Sequence, residues 1–355
     1  RARQIVDEHS LDHLGYFALR DDKEHFFHGR SMVSFAVVRG VCVVSPDPIG
    51  PECERAEAWA GFRRFADEHG WLVGVLGAGE GNLDFYRQER MRVVYIGDDA
   101  VVDCQSFQLA GRRLKSLRQG VQRVARRGHR VEIFEAAEVT EELRLQLRSL
   151  VTRTRLGSFE RGYSMTLGRM FDPRDTGLMV GVCFDPEGDA VACCQFVPAP
   201  DGYCLDLMRR EPSAAHGVVD FILVEMIAYV RRVGLHSLGL NFAAWRAIAA
   251  GARGDSGRER LLRWGVGQLS KSFQVESLWE FTRKYQPAWV GRYAVYDAIE
   301  DLAGCMLAVA KAESYWELPV IGRFMLPDVP EKTVVIERSG TAVGLLRDSL
   351  PSVTS

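Results

Sequence analysis

Asp206 is the one carboxylate in a strand-like run of apolar residues, "YCLDLM", and two arginines, Arg209 and Arg210, follow it closely. A carboxylate in apolar surroundings can take part in general acid–base chemistry or hold a cation, because burial changes how readily it ionises. The alternative is a structural ion pair with Arg209, which is costly to bury unless hydrogen bonds accompany it. Asp206 and Arg209 are therefore the first candidates for a site.

The segment 111–130 is strongly basic in a chain whose formal net charge is -2. Its residues Leu114, Leu117, Val121 and Val124 recur at helical spacing, so one stripe of a helix is expected to pack inward. A helix face that is merely solvated usually mixes both charge signs, and this segment contains no acid. The pattern predicts a cationic helix that binds a polyanion, either RNA phosphates or anionic lipid head groups. Its basic residues are Arg112, Arg113, Lys115, Arg118, Arg123, Arg126, Arg127 and Arg130.

Two stretches of the chain follow the same order of elements: a strand meander, a helix, a strand, a short helix and an aromatic strand. Their ends match most clearly, since "DFYRQERMRVVYIG" and "EFTRKYQPAWVGRYAVY" both pass from a helix through a basic turn into a strand. This order predicts an α/β (α+β) fold with two tandem acetyltransferase-like (GNAT) units. Each unit is expected to be a mixed, mostly antiparallel sheet flanked by helices.

Neither unit has the phosphate loop of an acetyl-CoA enzyme. Such enzymes bind pyrophosphate on a glycine-rich loop at a helix N-terminus, where free backbone N–H groups meet the anion. The corresponding stretches, "SPDPIGPECERAEAW" and "RREPSAAHGVVDF", contain prolines and lack those glycines. The sequence therefore disfavours CoA, and no cofactor is predicted.

The composition is that of a globular chain, with 355 residues of which 47% are apolar and 26% charged. No apolar run reaches the ~18 residues that a membrane helix needs. The eight cysteines lack metal-ligand spacing, so we expect reduced core residues and no metal site. The first residues contain neither an initiator Met nor a signal peptide, and we expect the chain to be a piece of something longer.

Several blocks, in the same order, resemble the cytosolic catalytic domain of the phosphatidylglycerol lysyltransferases, the multiple peptide resistance factor family. They include "FFHGRSMVSFAVVRGVCVVSPDPIGP", "SFERGYSMTLGRMFDP" and the block around Asp206, and the match spans 7–311. Members of this family carry the domain behind membrane helices and move an amino acid from aminoacyl-tRNA to a lipid hydroxyl. The stretch "LGLNFAAWRAI" departs from the more common N-L-G-M-A-P and is similar to the actinobacterial branch.

The resemblance implies four regions: a first acetyltransferase-like unit, a basic helix with a connecting segment, a second unit with the active site, and a tail. Their bounds are 1–110, 111–175, 176–312 and 313–355. It implies transfer of lysine from lysyl-tRNA to phosphatidylglycerol at the cytoplasmic face of the cell membrane, with a transmembrane segment preceding this chain. The expected partners are thus an aminoacyl-tRNA and an anionic phospholipid, and the expected outcome is altered membrane charge and resistance to cationic peptides.

The resemblance also implies roles for individual residues. Asp206 and Arg209 match the family's D-x-x-R pair. Asp206 would hold the ammonium of the aminoacyl group or act as the base, and Arg209 would hold a phosphate or stabilise developing charge. Glu160, Tyr163 and Ser164 lie in a loop similar to the family's E-K-G-F-S segment. Glu160 would bind a lysyl side chain, unless it is only a solvated carboxylate beside Arg161.

Three more residues are expected to bind substrate. Asn241 ends a central strand and can both donate and accept hydrogen bonds. Lys284 and Arg292 stand in the family's K-x-x-P-x-W context and would meet phosphate; the alternative is a surface cation beside a structural Trp289. Along the cationic helix, the predicted ligands of tRNA or lipid phosphate are Arg112, Lys115, Arg118, Arg123 and Arg126.

Two other functions stay open from the sequence. One is a CoA-dependent N-acyltransferase, which requires the phosphate loop that is missing. The other is a non-catalytic module that binds tRNA or membranes and keeps the fold without the chemistry.

Overall fold

The computed structural model describes residues 1–154, 162–244, 280–298 and 301–312. The helices within these ranges are α1 (Ala2–His9), α2 (Glu52–Glu68), α3 (Leu83–Gln88), α4 (Lys115–Arg126), α5 (Glu141–Thr154), α6 (Val218–Arg232) and α7 (Leu302–Ala312). The strands are β1 (Glu24–His28), β2 (Ser31–Val38), β3 (Val41–Val44), β4 (Leu72–Gly79), β5 (Arg92–Asp103), β6 (Arg130–Glu135), β7 (Met179–Phe184), β8 (Ala190–Ala199), β9 (Gly202–Arg210), β10 (Ser237–Ala244) and β11 (Ala288–Tyr296).

These strands form one sheet in the order β1-β2-β3-β4-β11-β5-β10-β9-β8-β7-β6. Only two neighbouring pairs are parallel, β3 with β4 and β9 with β10. Each parallel pair is joined through a helix, α2 or α6, because parallel neighbours cannot be connected by a tight turn. The predicted fold class is confirmed: a mixed, mostly antiparallel sheet flanked by helices.

The sheet has two halves, one for each predicted unit, and the last strand of each unit lies in the half that belongs to the other unit. β5 ends the first succession of elements but pairs with β10, and β11 ends the second but pairs with β4. β5 and β11 also pair with each other, so the two halves share one continuous sheet. The predicted regions 1–110 and 176–312 thus each contribute one strand to the central junction, and β6 of the predicted connecting segment pairs with β7 at the far edge.

The second half of the sheet is covered on two faces. On one, the α6 face, the buried residues of α4 and α6 form a common core. The predicted inward stripe of the basic helix is confirmed, since all four of its members are buried: Leu114, Leu117, Val121 and Val124. On the other, the α1 face, apolar residues of α1 and α5 pack with buried residues of β7, β8 and β9.

All eight cysteines are free thiols, and all but Cys53 are buried, as expected from the sequence. Among the helices of the described ranges, none combines the length and the apolar character needed to cross a membrane.

Candidate active site

β9 and β10 begin as parallel neighbours and then separate. Only Gly202–Cys204 of β9 pairs with Ser237–Gly239 of β10. Further along, β10 shifts its register against β5, and Asn241 stands at this irregularity with φ of 68°, a left-handed conformation that asparagine tolerates better than most residues. The strands thereby open a gap in the middle of the sheet. The predicted site residues on its two edges are Asp206, Arg209 and Asn241.

A bulge in β9 places Asp206 and Arg209 on the same face of the sheet. In a regular strand, residues three apart point to opposite faces. Here the pairing of β8 with β9 shifts between Gln195 and Phe196, which leaves Asp206 as an extra residue in the ladder. Asp206 reaches the side chain of Gln195, while Arg209 pairs with Cys193, two residues from Gln195 and therefore on its face.

The carboxylate of Asp206 is buried and bound by neutral donors. The backbone N–H of Leu167 donates to Oδ1 at 2.7 Å, and Nε2 of Gln195 donates to Oδ2 at 2.6 Å. Burial raises the pKa of Asp206 to about 6, although hydrogen bonds from Leu167, Thr166 and Gln195 and the charge of Arg20 act to lower it. This carboxylate is therefore held firmly in place yet titrates close to neutral pH.

Asp206 and Arg209, both well within the described ranges, form no ion pair with each other, so the structural pair considered from the sequence is absent. Arg209 is half-buried, and its Nη1 donates to the carbonyl of Met208 at 2.9 Å. At the closed end of the gap lies Cys204, the last residue of β9 that pairs with β10, and its Sγ is 3.6 Å from Oδ1 of Asn241. The gap is thus lined by a carboxylate, a guanidinium and an amide.

The raised pKa of Asp206 predicts a specific dependence of stability on pH. The pKa of about 6 in the folded protein lies above the ordinary aspartate value of 3.8, so the stabilising contribution of Asp206 is complete at low pH and is lost as pH rises through about 6. From about pH 4 to pH 7, the wild type should lose roughly 2 kcal/mol of unfolding free energy relative to Asp206→Asn, which has no proton to lose. Urea unfolding of both proteins at the two pH values measures this difference, and parallel pH dependences would contradict it.

The loop at 162–172 connects the first half of the sheet with Asp206. Tyr163 is buried, its hydroxyl donates to the carbonyl of Val43 at 2.6 Å, and Nζ of Lys23 lies 4.3 Å from its ring centre. Ser164 is fully buried as well. These two predicted substrate-binding residues therefore anchor the loop whose backbone then binds Asp206. The third residue predicted there, Glu160, lies outside the described residues.

Arg292 lies in a buried polar network on β11. It is 1% exposed, its Nη2 donates to Oδ2 of Asp99 at 2.9 Å, and its Nη1 donates to Asp12. Asp99 belongs to β5, and Asp12 belongs to the segment after α1, so the guanidinium joins both exchanged strands to the N-terminal segment. In this structure Arg292 is therefore a positioning residue rather than a surface cation offered to phosphate.

Lys284 lies on the α6 face, where its Nζ is 2.5 Å from Oδ1 of Asp220 in the first turn of α6. The hydroxyl of Tyr285 donates to the same oxygen at 2.6 Å. The helix start itself is covered by α4, because a Cβ at Gly217 would lie 3.3 Å from Val124. A carboxylate and a packed helix thus occupy the place where an acetyl-CoA enzyme would bind pyrophosphate.

The exposed side of α4 carries most of the predicted phosphate ligands. Arg118 instead is half-buried, and its Nη1 donates to the carbonyl of Gly111 at 3.1 Å. Beside the helix start is a cavity of about 470 Å³ whose lining includes Arg113 and Gln286. Four predicted ligands are exposed and form no ion pair within the described part of the chain: Arg112, Lys115, Arg123 and Arg126.

The first half closes its corresponding gap. β3 and β4 are parallel neighbours like β9 and β10, but Asp47 follows β3 and bridges to β4. Its Oδ2 accepts from the backbone N–H of Gly79 and from Asn82, both at 2.8 Å, and its Oδ1 accepts from Tyr86 at 2.6 Å. Only the second half therefore keeps an open gap among the described strands.

Sequence reasoning missed Gln195, Thr166 and the carboxylates of Asp12 and Asp99. Gln195 carried the same signal as Asp206, a lone polar residue in an apolar strand, "AVACCQFVPA". It is fully buried, and its Nε2 bonds both the carbonyl of Arg169 at 2.9 Å and Asp206. A single polar residue in each of two adjacent strands could have indicated the pair.

Residues 2–296 match the family model described as "Phosphatidylglycerol lysyltransferase, C-terminal". The chain is 33% identical over 344 residues to the lysylphosphatidylglycerol biosynthesis bifunctional protein LysX of Mycobacterium marinum, and 35% identical over 330 residues to that of Rhodococcus opacus. The two matches cover 93% and 91% of this chain but only 31% and 29% of those proteins. The structure of L-PGS from Bacillus licheniformis shares the fold with a TM-score of 0.77 at 22% identity, covering 88% of this chain and 95% of that one. The family resemblance found in the sequence is confirmed, and the chain belongs to the phosphatidylglycerol lysyltransferase C-terminal family.

Proposed function

We propose that this chain transfers an aminoacyl group, lysine, from aminoacyl-tRNA to the hydroxyl of phosphatidylglycerol. The lipid hydroxyl oxygen attacks the aminoacyl carbonyl, the bond to the tRNA ribose oxygen breaks, and that oxygen leaves with the proton that the lipid hydroxyl loses. One ester replaces another, so positioning supplies most of the catalysis and can contribute ~7–11 kcal/mol. Family membership supports the reaction, although the chain spans less than a third of the curated relatives' length.

The observation that carries this proposal is the buried Asp206 at the gap between β9 and β10. Its position is fixed by three donors, Thr166 and Leu167 of the loop and Gln195 of β8. One carboxylate has room for a fourth donor. We assign it the α-ammonium of the aminoacyl group, which brings the ester carbonyl into the gap. Arg209, on the same face, is assigned to the charge that develops on the carbonyl oxygen or to the lipid phosphate.

The CoA-dependent alternative is disfavoured by the start of α6. Pyrophosphate requires free backbone N–H groups there, but α4 covers Gly217, and Asp220 adds a negative charge in the first turn. The same packing favours an acyl donor that is itself a polyanion, namely an aminoacyl-tRNA. The exposed basic side of α4 lies next to this helix start and suits the phosphates of a tRNA acceptor arm.

The direct test is transfer itself. The protein is incubated with a set of labelled aminoacyl-tRNAs and vesicles of total lipid extract, and the lipids are then separated. Labelled lysyl-phosphatidylglycerol supports the proposal. In a parallel incubation with labelled acetyl-CoA, acetyl transfer supports the N-acyltransferase instead. Binding of tRNA or vesicles without transfer from any donor supports the non-catalytic module.

The exposed basic side of α4 predicts a salt-dependent association with tRNA. Replacing Lys115, Arg123 and Arg126 with Gln should weaken tRNA binding and reduce the slope of log affinity against log salt by roughly 2–3, since each lost phosphate contact removes roughly 0.7–0.9. Filter binding at several salt concentrations measures this slope. Arg118 is left intact because its bond to Gly111 supports the preceding loop.

The control for this experiment makes the same charge change elsewhere. Arg64, Arg92 and Arg148 are exposed arginines on α2, β5 and α5, and their replacement with Gln should leave the slope unchanged. Parallel measurements with phosphatidylglycerol vesicles show whether α4 docks on the lipid rather than the tRNA. Equal slopes for wild type and the α4 variant with both ligands would make α4 a solvated face only.

A further inference from the structure

The network around Arg292 carries more negative than positive charge. Asp12 and Asp99 both bind this one guanidinium, so the three side chains have a formal charge of -1. For Asp12, burial raises the pKa, but the charge of Arg292, hydrogen bonds from Arg292 and from the backbone of Leu14, and the charge of His13 together leave the pKa below its usual value. Asp99 is fully buried in β5. The fully buried carboxylate of Asp99 therefore shares its one cation with Asp12.

Two buried atoms of this network, Nε of Arg292 and Oδ1 of Asp99, have no hydrogen-bond partner in the described part of the chain. Asp99 uses Oδ2 for Arg292, but its Oδ1 is buried and accepts no hydrogen bond. An unmet charged acceptor in the protein interior costs more than a neutral one, so such an atom marks a place for a donor. No group of three or more His, Cys, Asp or Glu side chains in the described ranges is arranged to hold a metal ion. The ammonium group of a ligand is a charged donor that suits a single carboxylate oxygen.

The network lies on the same face of the sheet as Asp206, at the far side of the gap. Burial raises the pKa of the Cys204 thiol. The charges of Asp99 and Asp206 raise this pKa further and that of Arg292 lowers it, so all three charged groups lie near one buried thiol. Asp206 is on β9 and Asp99 on β5, with β10 between them. Paired strands would put β9 and β5 roughly 9–10 Å apart, and the separation of β9 from β10 at the gap adds to that distance.

We propose that Asp99, supported by Asp12, receives the side-chain ammonium of the transferred lysyl group while Asp206 holds its α-ammonium. The proposal rests on the proposed function and names the residues that select the amino acid. A lysyl group has one ammonium at each end of an extended carbon chain, which matches two acidic positions on either side of an open gap. Arg292 is the positioning residue, because it fixes both carboxylates and leaves Oδ1 of Asp99 as the open acceptor.

The test compares two small esters that differ only in the side-chain ammonium, lysine methyl ester and norleucine methyl ester. By calorimetry, wild type should bind the lysine ester about tenfold or more tightly, as expected for a hydrogen bond to a charged group. Asp99→Asn should bring the two affinities within about twofold to threefold. This variant keeps an oxygen for Arg292, which also stays paired with Asp12, so the fold is expected to persist.

The control is Asp103→Asn, which makes the same change in the same strand but at its exposed end, where the carboxylate accepts from Ser106. It should keep the wild-type preference for the lysine ester. A second variant, Asp12→Asn, removes the other carboxylate at a partly exposed position and should also lower the preference. If Asp99→Asn fails to fold, the Asp12→Asn result decides.

A folded Asp99→Asn protein that keeps the full preference, or a wild type with no preference, overturns the inference. Transfer assays with lysyl-tRNA and alanyl-tRNA separate this from the proposed function. If the wild type transfers lysine to lipid and Asp99→Asn has the same selectivity, the proposed function stands and the role of Asp99 is refuted. If the wild type prefers the lysine ester, Asp99→Asn lacks that preference, and the wild type transfers nothing, the lysine-binding site stands and the proposed function is refuted.

Discussion

Asp206→Asn is expected to lower kcat/KM for aminoacyl transfer by at least ~10²-fold, because the amide keeps the shape of the side chain but carries no negative charge. The measurement is the rate of labelled lysine transfer to phosphatidylglycerol vesicles over a range of lysyl-tRNA concentrations. If Asp206 binds the α-ammonium equally in ground and transition states, the loss falls on KM. If it accepts the proton of the lipid hydroxyl, the loss falls on kcat.

The structure indicates how far this substitution disturbs the fold. Both carboxylate oxygens accept hydrogen bonds, so the new amide NH₂ must face either the N–H of Leu167 or that of Gln195. Two N–H donors that face each other without an acceptor lower the free energy of unfolding by about 1–3 kcal/mol, which a domain of ordinary stability tolerates. Thermal melts of the same samples check this, and Asp67→Asn on the exposed end of α2 serves as the control for charge. Near wild-type transfer by folded Asp206→Asn protein would remove Asp206 from the mechanism.

Local patterns predicted the elements well. The stripe of Leu114, Leu117, Val121 and Val124 is buried as its spacing required. Both successions of strands and helices are present, except that only residues 280–283 of the second short helix lie in the described part of the chain. Such features depend on neighbours within a few residues, where side-chain periodicity reports directly on burial. The exchange of β5 and β11 could not be read in this way, because the pairing of Trp289 with Ala100 joins strands nearly two hundred residues apart in the chain.

The site shows the same division. Asp206 and Arg209 were found from sequence, but a strand with regular alternation would have separated them, and the bulge that unites them depends on the partner strand β8. The family's K-x-x-P-x-W context predicts that Arg292 meets phosphate, and the aromatic strand around this arginine carries no sign of its carboxylate partners. Asp12 comes from the other end of the chain, and only the folded sheet brings it to the guanidinium.

Arg292→Met is expected to lower the free energy of unfolding by about 3–5 kcal/mol, the usual cost of removing one partner from a buried ion pair. Methionine fills similar space, so the loss comes chiefly from the uncompensated carboxylates of Asp12 and Asp99. Urea unfolding followed by circular dichroism measures it. The control is Arg283→Met, whose partner Glu280 is half exposed, and the expected loss there is at most about 1 kcal/mol.

A second substitution distinguishes lost charge balance from lost packing. Adding Asp99→Asn to Arg292→Met removes the fully buried carboxylate that has no cation left, so the double variant should be more stable than Arg292→Met alone. Adding Asp12→Asn should recover less, because Asp12 is partly exposed and water can solvate its charge. If Arg292 were a surface cation for substrate phosphate, Arg292→Met would lose transfer but unfold like wild type. Such a result would return Arg292 to the phosphate-binding role that its sequence context suggested. Backbone hydrogen bonds would then be what joins β5 and β11.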